Sequence, residues 1–401
     1  VGYGAGSAVT TGTNNTMVGG LCGDAMTDAD DNTAVGHQAL STNILGSAST
    51  AIGKDALLDQ NPSTATVMYN VAVGYHAGRL ITTGVKNVIV GGLAGDSLLT
   101  GERNVYVGHT SGERATTGTF NTGLGAETLF YNVAGNKNTA VGEGALFAMT
   151  AATSTDTFNT ALGFGAAAAV TSGLQNTVVG ALAGDAMTTG DSNTFIGYFA
   201  AGNGVVTGDT NTAVGISAGL ALTSGSNNLL LGKDAGRTGS PGGNFTTGNG
   251  GIVLGDENIS DAYIQVDWTI SSDERDKTDF VDLDLGLDFV KALEPVTYYW
   301  DKRSKYGDKY ADDYDLDNLT PDGTHKEDWM DVGFKAQSVQ ALEEAAGYKL
   351  SDKKNLTVSS VEDGKQLGLQ YSKFIPILVK AIQDQDAIIQ SLTARITALE
   401  S

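Results

Sequence analysis

The stretch Asn211-Thr212-Ala213-Val214-Gly215-Ile216-Ser217-Ala218-Gly219 decides the fold, because close copies of it recur through residues 1–258. The glycine of the Val-Gly pair, or of an Ile-Gly or Leu-Gly equivalent, stands at positions 2, 19, 36, 53, 74, 91, 108, 125, 142, 163, 180, 197, 215, 232 and 255. Most intervals are 17 residues, with two of 21, one of 18 and one of 23. Asn stands four residues before the glycine in 12 of the 14 units that have this position. A fixed period of this length indicates a repeat architecture.

Each unit reads as a short strand, a segment of small residues and a turn. The strand has the Ala-Val-Gly type of sequence, and the turn is Thr-Thr-Gly or Ser-Gly. Gly and Asn suit turns with positive φ, which β-branched residues do not adopt easily. The pattern predicts a mostly β protein whose repeats form a β-solenoid or β-roll, with coils stacked about 4.8 Å apart. The two 21-residue intervals predict loops four residues longer, around residues 59–69 and 148–157.

The small side chains of the repeats bear on how many chains build the solenoid. Each unit has only about one Val or Ile, one Leu and two or three Ala to turn inward. Burial of so little apolar surface does not offset the conformational entropy lost when a whole coil becomes ordered. We therefore expect several copies of the chain to wind about one axis, as an intertwined homo-oligomer that shares one core.

Other interpretations of the repeats fit the sequence less well. Disorder suits a composition dominated by Gly, Ser, Thr and Asn, but the register held from residue 2 to residue 255 argues against it. Gly-Asp recurs at Asp24, Asp96 and Asp185, yet the Gly-Gly-x-Gly-x-Asp pattern of calcium rolls does not repeat. The Asn column fits either an internal ladder of side chains or turn chemistry, and both roles are structural.

The isolated Cys and His residues of the repeats predict packing rather than chemistry. Cys22 stands where other units carry Ala, which predicts a small core residue. His37, His76 and His109 follow Val-Gly pairs, and this spacing predicts stacked surface residues rather than a metal site. We expect no metal and no cofactor.

Composition divides the chain near residue 259. Residues 1–258 hold 47 of the 54 Gly and none of the three Trp. We predict a repetitive fibre region at 1–258, a connector at 259–271 and a small α+β domain at 272–401.

Charge and cysteine content exclude several classes of partner and site. A net charge of −22 argues against a nucleic-acid surface. One Cys makes no intrachain disulfide or multi-thiolate metal site, and no apolar run is long enough for membrane insertion. The chain starts at Val1, inside a repeat, which predicts a fragment or a processed piece.

The segment just past the repeats places a hydroxyl near an amine. Residues 270–277 read Ile-Ser-Ser-Asp-Glu-Arg-Asp-Lys, so Ser272 precedes Lys277 by five residues. A Ser beside a Lys whose pKa is lowered by burial is a known nucleophile and base pair. Charged turns with Ser, Asp and Lys are common, so the spacing alone is weak evidence of catalysis.

Periodicity predicts the other elements of the C-terminal part. Residues 285–293 predict a helix, 296–300 a strand, 332–344 a segment that starts a helix, and 367–371 a short strand. Residues 302–328 predict a solvated, charged loop. Its Asp313-x-Asp315-x-Asp317 pattern lacks the Gly and Glu of a calcium-binding loop.

The last 30 residues predict a coiled coil over about residues 371–401. Core positions alternate by four and three residues at Leu378, Ile382, Gln385, Ile389, Leu392, Ile396 and Leu399. This is a heptad seam with one polar residue, and it supports oligomerisation without fixing the number of chains. The alternative is a single amphipathic helix packed on its own domain.

Four motifs in order resemble one family. They are Ser272-Asp273-x-Arg275-x-Lys277, Leu293-x-Pro295-Val296-x-Tyr298, Gly333-Phe334-x-Ala336-Gln337, and Tyr371 leading into the heptads. Together they resemble the S74 family, the auto-cleaving intramolecular chaperone domains at the ends of phage tail fibres and tailspikes. The repeats are separately similar to the arrays of phage and cyanophage fibres, and more distantly to trimeric adhesin heads of bacteria.

The resemblance implies a homotrimer whose C-terminal domain templates folding of the fibre and then cuts itself free. It implies Ser272 as nucleophile, Lys277 as base and cleavage between Ser271 and Ser272. It gives orienting or packing roles to Asp273, Arg275 and Gln337. The implied enzyme activity is a single-turnover self-cleavage by a serine peptidase.

The resemblance also implies a place and partners for the protein. We expect a tail fibre in the virion, joined to other tail proteins, that contacts a host cell-surface glycan or outer-surface protein through the longer loops. The alternative is a bacterial trimeric surface adhesin with the same chaperone domain, located at the bacterial cell surface.

Overall fold

We describe the protein from a computed structural model that covers residues 1–266, 268–309, 311 and 313–401. The chain divides into two compact units. The solenoid unit comprises Val1–Arg237 and Phe245–Asp256, and the C-terminal unit comprises Thr238–Asn244 and Glu257–Ser401.

The solenoid unit is built on one parallel sheet of 14 three-residue strands, which confirms the predicted β-solenoid. Each strand pairs with the equivalent residues of the next coil, as Thr16 does with Thr33. The strands are β1 (Thr16–Val18), β2 (Thr33–Val35), β4 (Thr50–Ile52), β6 (Val71–Val73), β7 (Val88–Val90), β8 (Val105–Val107), β9 (Thr122–Leu124), β11 (Thr139–Val141), β13 (Thr160–Leu162), β14 (Thr177–Val179), β15 (Thr194–Ile196), β16 (Thr212–Val214), β17 (Leu229–Leu231) and β18 (Ile252–Leu254).

The two 21-residue intervals form longer loops, as the sequence predicts. In the first, β3 (Gly46–Ser47) pairs in parallel with β5 (Thr66–Val67). In the second, β10 (Gly135–Asn136) pairs in parallel with β12 (Thr155–Asp156). Each longer loop is therefore tied to the preceding coil by a short strand pair of its own.

The Asn column forms a ladder of buried side chains inside the coils. Asn87 Oδ1 accepts the backbone N–H of Asn104 at 2.9 Å, and Asn87 Nδ2 donates to the Gly101 carbonyl at 3.0 Å. Equivalent contacts recur in other coils at Asn32, Asn70, Asn104, Asn121, Asn159, Asn176, Asn193, Asn211 and Asn228. These side chains are at most 2% exposed, so the amides satisfy backbone groups that water does not reach.

One coil departs from the ladder and replaces part of it. Ser49 stands at the Asn position, and Gln60 lies beside it in the core. Gln60 Oε1 accepts the Ser49 hydroxyl at 3.2 Å and Asn70 Nδ2 at 2.9 Å. The Gln60 side chain thus supplies an acceptor for the Asn70 side-chain amide, which Ser49 does not reach.

Side-chain volumes compensate one another in several coils. Where the centre of the strand is large, as at Tyr106, the position six residues later is glycine, and a Cβ on Gly112 would overlap the tyrosine ring. In another coil the centre is the small Ala51, and the later position is a large residue, Leu57. Both large side chains are fully buried. This exchange fills a narrow core to normal packing density with few large residues.

The Val or Ile before each repeat glycine lies on the outer face of the sheet, which corrects the expectation that it turns inward. In β4, Ala51 is fully buried while Ile52 is 39% exposed. Side chains alternate along a strand, so the buried Asn and the buried strand centre place the intervening residues outside. The outer stripe of exposed apolar residues comprises Val18, Ile52, Leu124, Leu162, Ile196 and Leu254.

One chain closes each coil that the structure describes, which differs from the intertwined winding expected above. Gly91 N–H donates to the Val73 carbonyl at 2.8 Å, and equivalent bonds join the other coils. The solenoid core is one buried cluster of this chain, in which Cys22 occupies an Ala position as predicted. The Asn ladder and the coil-to-coil hydrogen bonds add the stabilisation that apolar burial alone does not supply.

Tyr106 offers a test of this core. Its hydroxyl is buried near the Asn121 side chain but makes no well-formed hydrogen bond with the described residues, and burial raises the pKa of the phenol. An unpaired buried hydroxyl destabilises a core, so we expect Tyr106→Phe to raise the free energy of unfolding by about 1 kcal/mol. Thermal unfolding of the full chain measures the change. The control is Tyr198→Phe, whose residue is 54% exposed and whose Tm stays near the wild-type value. A lower Tm for Tyr106→Phe would contradict an unpaired hydroxyl.

Among the residues that the structure describes, the C-terminal unit combines three α-helices with two antiparallel strand pairs. These elements are α1 (Leu287–Ala292), β19 (Val296–Tyr298), β20 (Asp331–Gly333), α2 (Ala336–Ala345), β21 (Val358–Ser360), β22 (Leu367–Leu369) and α3 (Phe374–Glu400). β19 pairs with β20, and β21 pairs with β22. The helix predicted from residue 332 begins four residues later, because Asp331–Gly333 is a strand that pairs with β19.

The heptad seam of α3 is exposed along most of its length. The first turns of the helix pack on the unit through Phe374, Ile377 and Ala381, which are at most 5% exposed. The seam residues lie elsewhere on the helix surface. Exposure reaches 45% at Leu378, 65% at Ile382, 52% at Ile389, 50% at Leu392, 55% at Ile396 and 87% at Leu399. The single chain therefore leaves an apolar helix face without a cover.

Candidate functional site

The turn that follows the repeats brings Ser272 and Lys277 into contact. Lys277 Nζ donates to Ser272 Oγ at 2.5 Å and to the Ser272 carbonyl at 3.3 Å. A short 3-10 turn over Glu274–Asp276 folds the chain back and produces this contact. The geometry pairs a hydroxyl with an amine, as a serine nucleophile and a lysine base require.

Asp273 and Arg275 hold the same turn. Asp273 Oδ1 accepts the backbone N–H of Arg275 at 3.0 Å and caps the turn. Arg275 Nη2 donates to Asp273 Oδ2 at 2.6 Å. The Arg275 side chain holds the pKa of the Asp273 carboxyl below its usual range. Both side chains are open to solvent, so they fix the shape of the turn more than they stabilise the fold.

The turn and its flanks are exposed in the single chain. Residues 271–277 are all exposed. Large apolar side chains on either side are exposed too, with Trp268 and Ile270 at 73%, Phe280 at 67% and Val281 at 90%. A short segment with this many exposed apolar residues is typical of a surface that takes part in an interaction.

Gln337 lies apart from this turn. It sits in the first turn of α2 and lines a groove of about 560 Å³ together with Tyr298, Trp300, Phe334 and Tyr371. Among the described residues, the lining of this groove includes none of 271–277. The structure thus groups Ser272, Asp273, Arg275 and Lys277, and gives Gln337 a place in an aromatic groove.

Asp331 organises that groove and was not found from the sequence. Tyr298 Oη donates to Asp331 Oδ2 at 3.3 Å, and Trp300 Nε1 donates to the same oxygen at 3.2 Å. The backbone N–H of Val332 and the Trp300 side chain hold the pKa of the Asp331 carboxyl below its usual range. Tyr298 and Trp300 lie in or next to a predicted strand, but their acidic partner lies 33 residues after Tyr298, at the start of β20.

Glu343 is a second residue that sequence reasoning missed. It is 1% exposed, although it lies in a helix with acidic neighbours. Its Oε1 accepts the backbone N–H of Thr357 at 2.6 Å and the Thr357 hydroxyl at 2.5 Å, and its Oε2 accepts the Leu356 N–H at 3.1 Å. Three donors around one buried carboxylate give it a structural role in joining α2 to the chain before β21.

The three repeat histidines do not form one column. His37 and His109 directly follow their repeat glycines and are exposed, as predicted. His76 stands one residue later in its coil, and its Nε2 lies 3.0 Å from Asp55 Oδ2 with the side chain only 20% exposed. The predicted stacked surface position is therefore wrong for His76, because the one-residue offset turns it toward the carboxylates. Among the described residues, no group of three His, Cys, Asp or Glu side chains is placed to hold a metal ion.

Residues 272–348 match the family model Peptidase_S74, whose description is Chaperone of endosialidase. The C-terminal unit thus contains a region that matches a model of this chaperone family. The match begins at Ser272 and covers the turn, α1, the β19–β20 pair and α2. No curated protein and no solved structure matches the chain.

The chaperone domain follows a shaft of 14 strands in the chain. A β-solenoid ahead of such a domain fits a tail fibre or tailspike. Tyr371 and the heptads, part of the resemblance described above, lie beyond the matched residues. None of the helices in the described ranges combines the length and apolarity needed to cross a bilayer.

Proposed function

We propose that this chain is a segment of a homotrimeric phage tail fibre that binds a receptor on the host cell surface. Its chaperone domain assembles the trimer and then cuts itself free between Ser271 and Ser272. The fibre is part of the virion and joins other tail proteins. The observation that carries the proposal is the 2.5 Å contact of Lys277 Nζ with Ser272 Oγ, at the first residue of the family match.

The proposed cleavage uses the two contacting side chains. Ser272 Oγ attacks the carbonyl carbon of Ser271, and neutral Lys277 Nζ takes the hydroxyl proton. The Ser271–Ser272 amide bond breaks, Lys277 returns the proton to the Ser272 nitrogen, and an ester links the two residues. Water then hydrolyses the ester, which leaves a carboxylate on Ser271 and restores the Ser272 hydroxyl.

Assembly is the step that would activate this pair. A lysine acts as a base only where burial disfavours its charged form. The turn at 271–277 is exposed in the single chain, between the exposed apolar residues Trp268, Ile270, Phe280 and Val281. Contact of these side chains with partner subunits would bury Lys277 and start the reaction. Cleavage would thus follow folding of the fibre and not precede it.

Two exposed apolar surfaces support association of several copies. One is the heptad seam of α3, and the other is the outer stripe along the solenoid. The resemblance to S74 domains implies three copies. Since each coil is closed by one chain, the subunits would meet side by side along their outer faces, with the helices bundled at one end.

A repetitive shaft can assemble in the wrong register, and a chaperone domain would prevent this. Neighbouring coils differ little, so a subunit displaced by 17 residues would make nearly correct contacts with its partners. A helix bundle at the end of the chain fixes one register before the shafts pair. Later removal of that bundle leaves a fibre held by the slowness of its unfolding.

The proposal is tested by intact mass and native size of the full chain beside Ser272→Ala and Lys277→Ala. We expect the wild type to separate into a trimeric shaft that ends at Ser271 and a C-terminal piece that begins at Ser272. Both variants should stay whole and trimeric, because each removes one partner of the only step that breaks the bond.

Two controls sharpen this test. Ser271→Ala removes the neighbouring hydroxyl and should still be cleaved, and Lys291→Ala removes another exposed lysine with the same expectation. If the wild type stays uncleaved and trimeric, the domain assembles the trimer but has no peptidase activity. A whole, monomeric wild type would contradict the fibre assembly as well.

A further inference from the structure

One corner of the solenoid carries a column of residues with left-handed backbone, five positions before each repeat glycine. Between the two longer loops this column contains Tyr69, Lys86, Arg103, Phe120, Lys137 and Phe158, with φ from 51° to 61°. We call these six residues the aromatic–basic column. In the other coils the same position is occupied by Asn14, Asp31, Ala48, Gln175, Ser192, Thr210, Asn227 and Gly250.

The identity of these six residues is not explained by backbone stability. Left-handed backbone suits Gly, Asn and Asp, and it strains a residue with a bulky side chain. Coils outside the two longer loops follow this preference at Asn14, Asp31, Asn227 and Gly250. Left-handed backbone also occurs at buried core residues such as Leu57 and Leu129, so the strain alone does not mark a site. The column differs from them because its aromatic and basic side chains are exposed.

The column is exposed and continuous. Tyr69 is 58% exposed, Phe120 45% and Phe158 47%, and the three basic residues are exposed as well. Successive members belong to hydrogen-bonded coils, as the 2.7 Å bond from Lys86 N–H to the Met68 carbonyl shows. Neighbours therefore repeat at about 4.8 Å along the solenoid, the spacing of adjacent strands.

Cations and rings are interleaved within the column. The Arg103 guanidinium lies 5.1 Å from the centroid of the Phe120 ring, and Lys137 Nζ lies 4.9 Å from that of Phe158. Lys137 Nζ also contacts Asp156 Oδ2 at 2.6 Å. Lys86 and Arg103 thus supply most of the positive charge that an incoming ligand would meet.

We propose that the aromatic–basic column binds an acidic polysaccharide, an inference that rests on the proposed receptor-binding function. Aromatic rings stack on the apolar faces of sugars, and ammonium and guanidinium groups pair with carboxylate or sulfate groups. The coil spacing is of the same order as the rise per sugar of an extended polysaccharide. A nucleic acid also presents a row of negative charges, so a single-stranded DNA is included in the test as the competing polyanion.

Binding of immobilised polysaccharides by the full chain tests this inference. The probes are polygalacturonate and dextran sulfate as acidic polymers, neutral dextran, and a single-stranded DNA oligonucleotide. We expect both acidic polymers to bind more tightly than dextran and than the DNA. Lys86→Gln combined with Arg103→Gln should weaken this binding by about tenfold or more. Gln already occupies the column at Gln175, so the backbone tolerates it.

Matched control variants distinguish specific binding at the column from nonspecific electrostatic attraction. Lys54→Gln with Lys233→Gln removes two exposed cations outside the column and should leave the affinity unchanged. Phe120→Asn should weaken binding while Tm stays level or rises, because Asn suits left-handed backbone. Phe164→Asn, at another exposed ring, should leave binding unchanged.

The binding results and a parallel adsorption assay together decide whether the column binds acidic polysaccharides. Three results would contradict binding of acidic polysaccharides by the column. The two double variants could lose the same affinity, DNA could bind as tightly as the acidic polymers, or the wild type could bind those polymers no more tightly than dextran. Adsorption to host cells is measured in parallel. If the column variants adsorb to cells as well as the wild type, the column is not the receptor-binding surface, although the protein still binds a receptor. If the wild type binds the polymers but not cells, the proposed receptor-binding function is contradicted.

Discussion

We expect Gly91→Ala to cost the full chain about 3 kcal/mol or more of stability, because it places a methyl group between two coils. Gly91 has a φ of +139°, and a Cβ there would overlap the Gly108 carbonyl of the next coil. Equivalent glycines stack in neighbouring coils with φ between 104° and 142°. An alanine at this position strains the backbone and also pushes adjacent coils apart.

Gly144→Ala is the matched control for this substitution. Gly144 also has positive φ, at +68°, but no heavy atom lies within 4 Å of a Cβ built on it. It should therefore cost only the backbone strain, about 1 kcal/mol. Chemical denaturation of both variants measures the difference, and hydrogen exchange locates the opened coils. If both variants lose the same free energy of unfolding, the close approach of the coils at Gly91 does not add to the cost of the substitution.

The second large effect is expected from the buried ladder. Asn87→Ser removes the acceptor of the Asn104 N–H and the donor to the Gly101 carbonyl, both in a region that water does not reach. Each buried group left without a partner costs about 1–3 kcal/mol, so we expect a loss of about 3 kcal/mol in the free energy of unfolding. Asn61→Ala, at an exposed asparagine, should change it by less than about 0.5 kcal/mol.

A rescue variant makes this test specific. The coil of Ser49 shows a natural substitute, in which Gln60 accepts hydrogen bonds from Ser49 and Asn70. Leu98 occupies in its coil the position that Gln60 occupies eleven residues after Ser49. We therefore expect Asn87→Ser combined with Leu98→Gln to recover part of the lost stability. A double variant less stable than Asn87→Ser alone would contradict a transferable ladder.

The coil could be predicted from the sequence because its constraints fall on the backbone. Glycine at a strained φ recurs at the same place in each unit, and Asn at a hydrogen-bonding position recurs in 12 of 14 units, so the period alone predicts the coil. The face of the sheet on which the Val side chain before the glycine lies could not be predicted from the period. It depends on which side of the strand the Asn ladder occupies, and hydrophobicity favours the wrong side.

The candidate site was predictable only where its residues are neighbours in sequence. Ser272 and Lys277 are five residues apart, and a single 3-10 turn brings them together. Gln337 depends on where α2 begins, and that is set by pairing of β20 with β19. The partners of Asp331 and Glu343 likewise come from separate elements, so no local pattern indicates them.

The stacked coils also bear on how such a protein changes over generations. Each coil hydrogen-bonds only to its neighbours and presents the same backbone groups at both of its ends. Unequal recombination that removes or duplicates one 17-residue unit therefore rejoins two compatible coils and keeps the ladder unbroken. The length of the shaft can evolve in whole coils, independently of the residues that each coil displays on its surface.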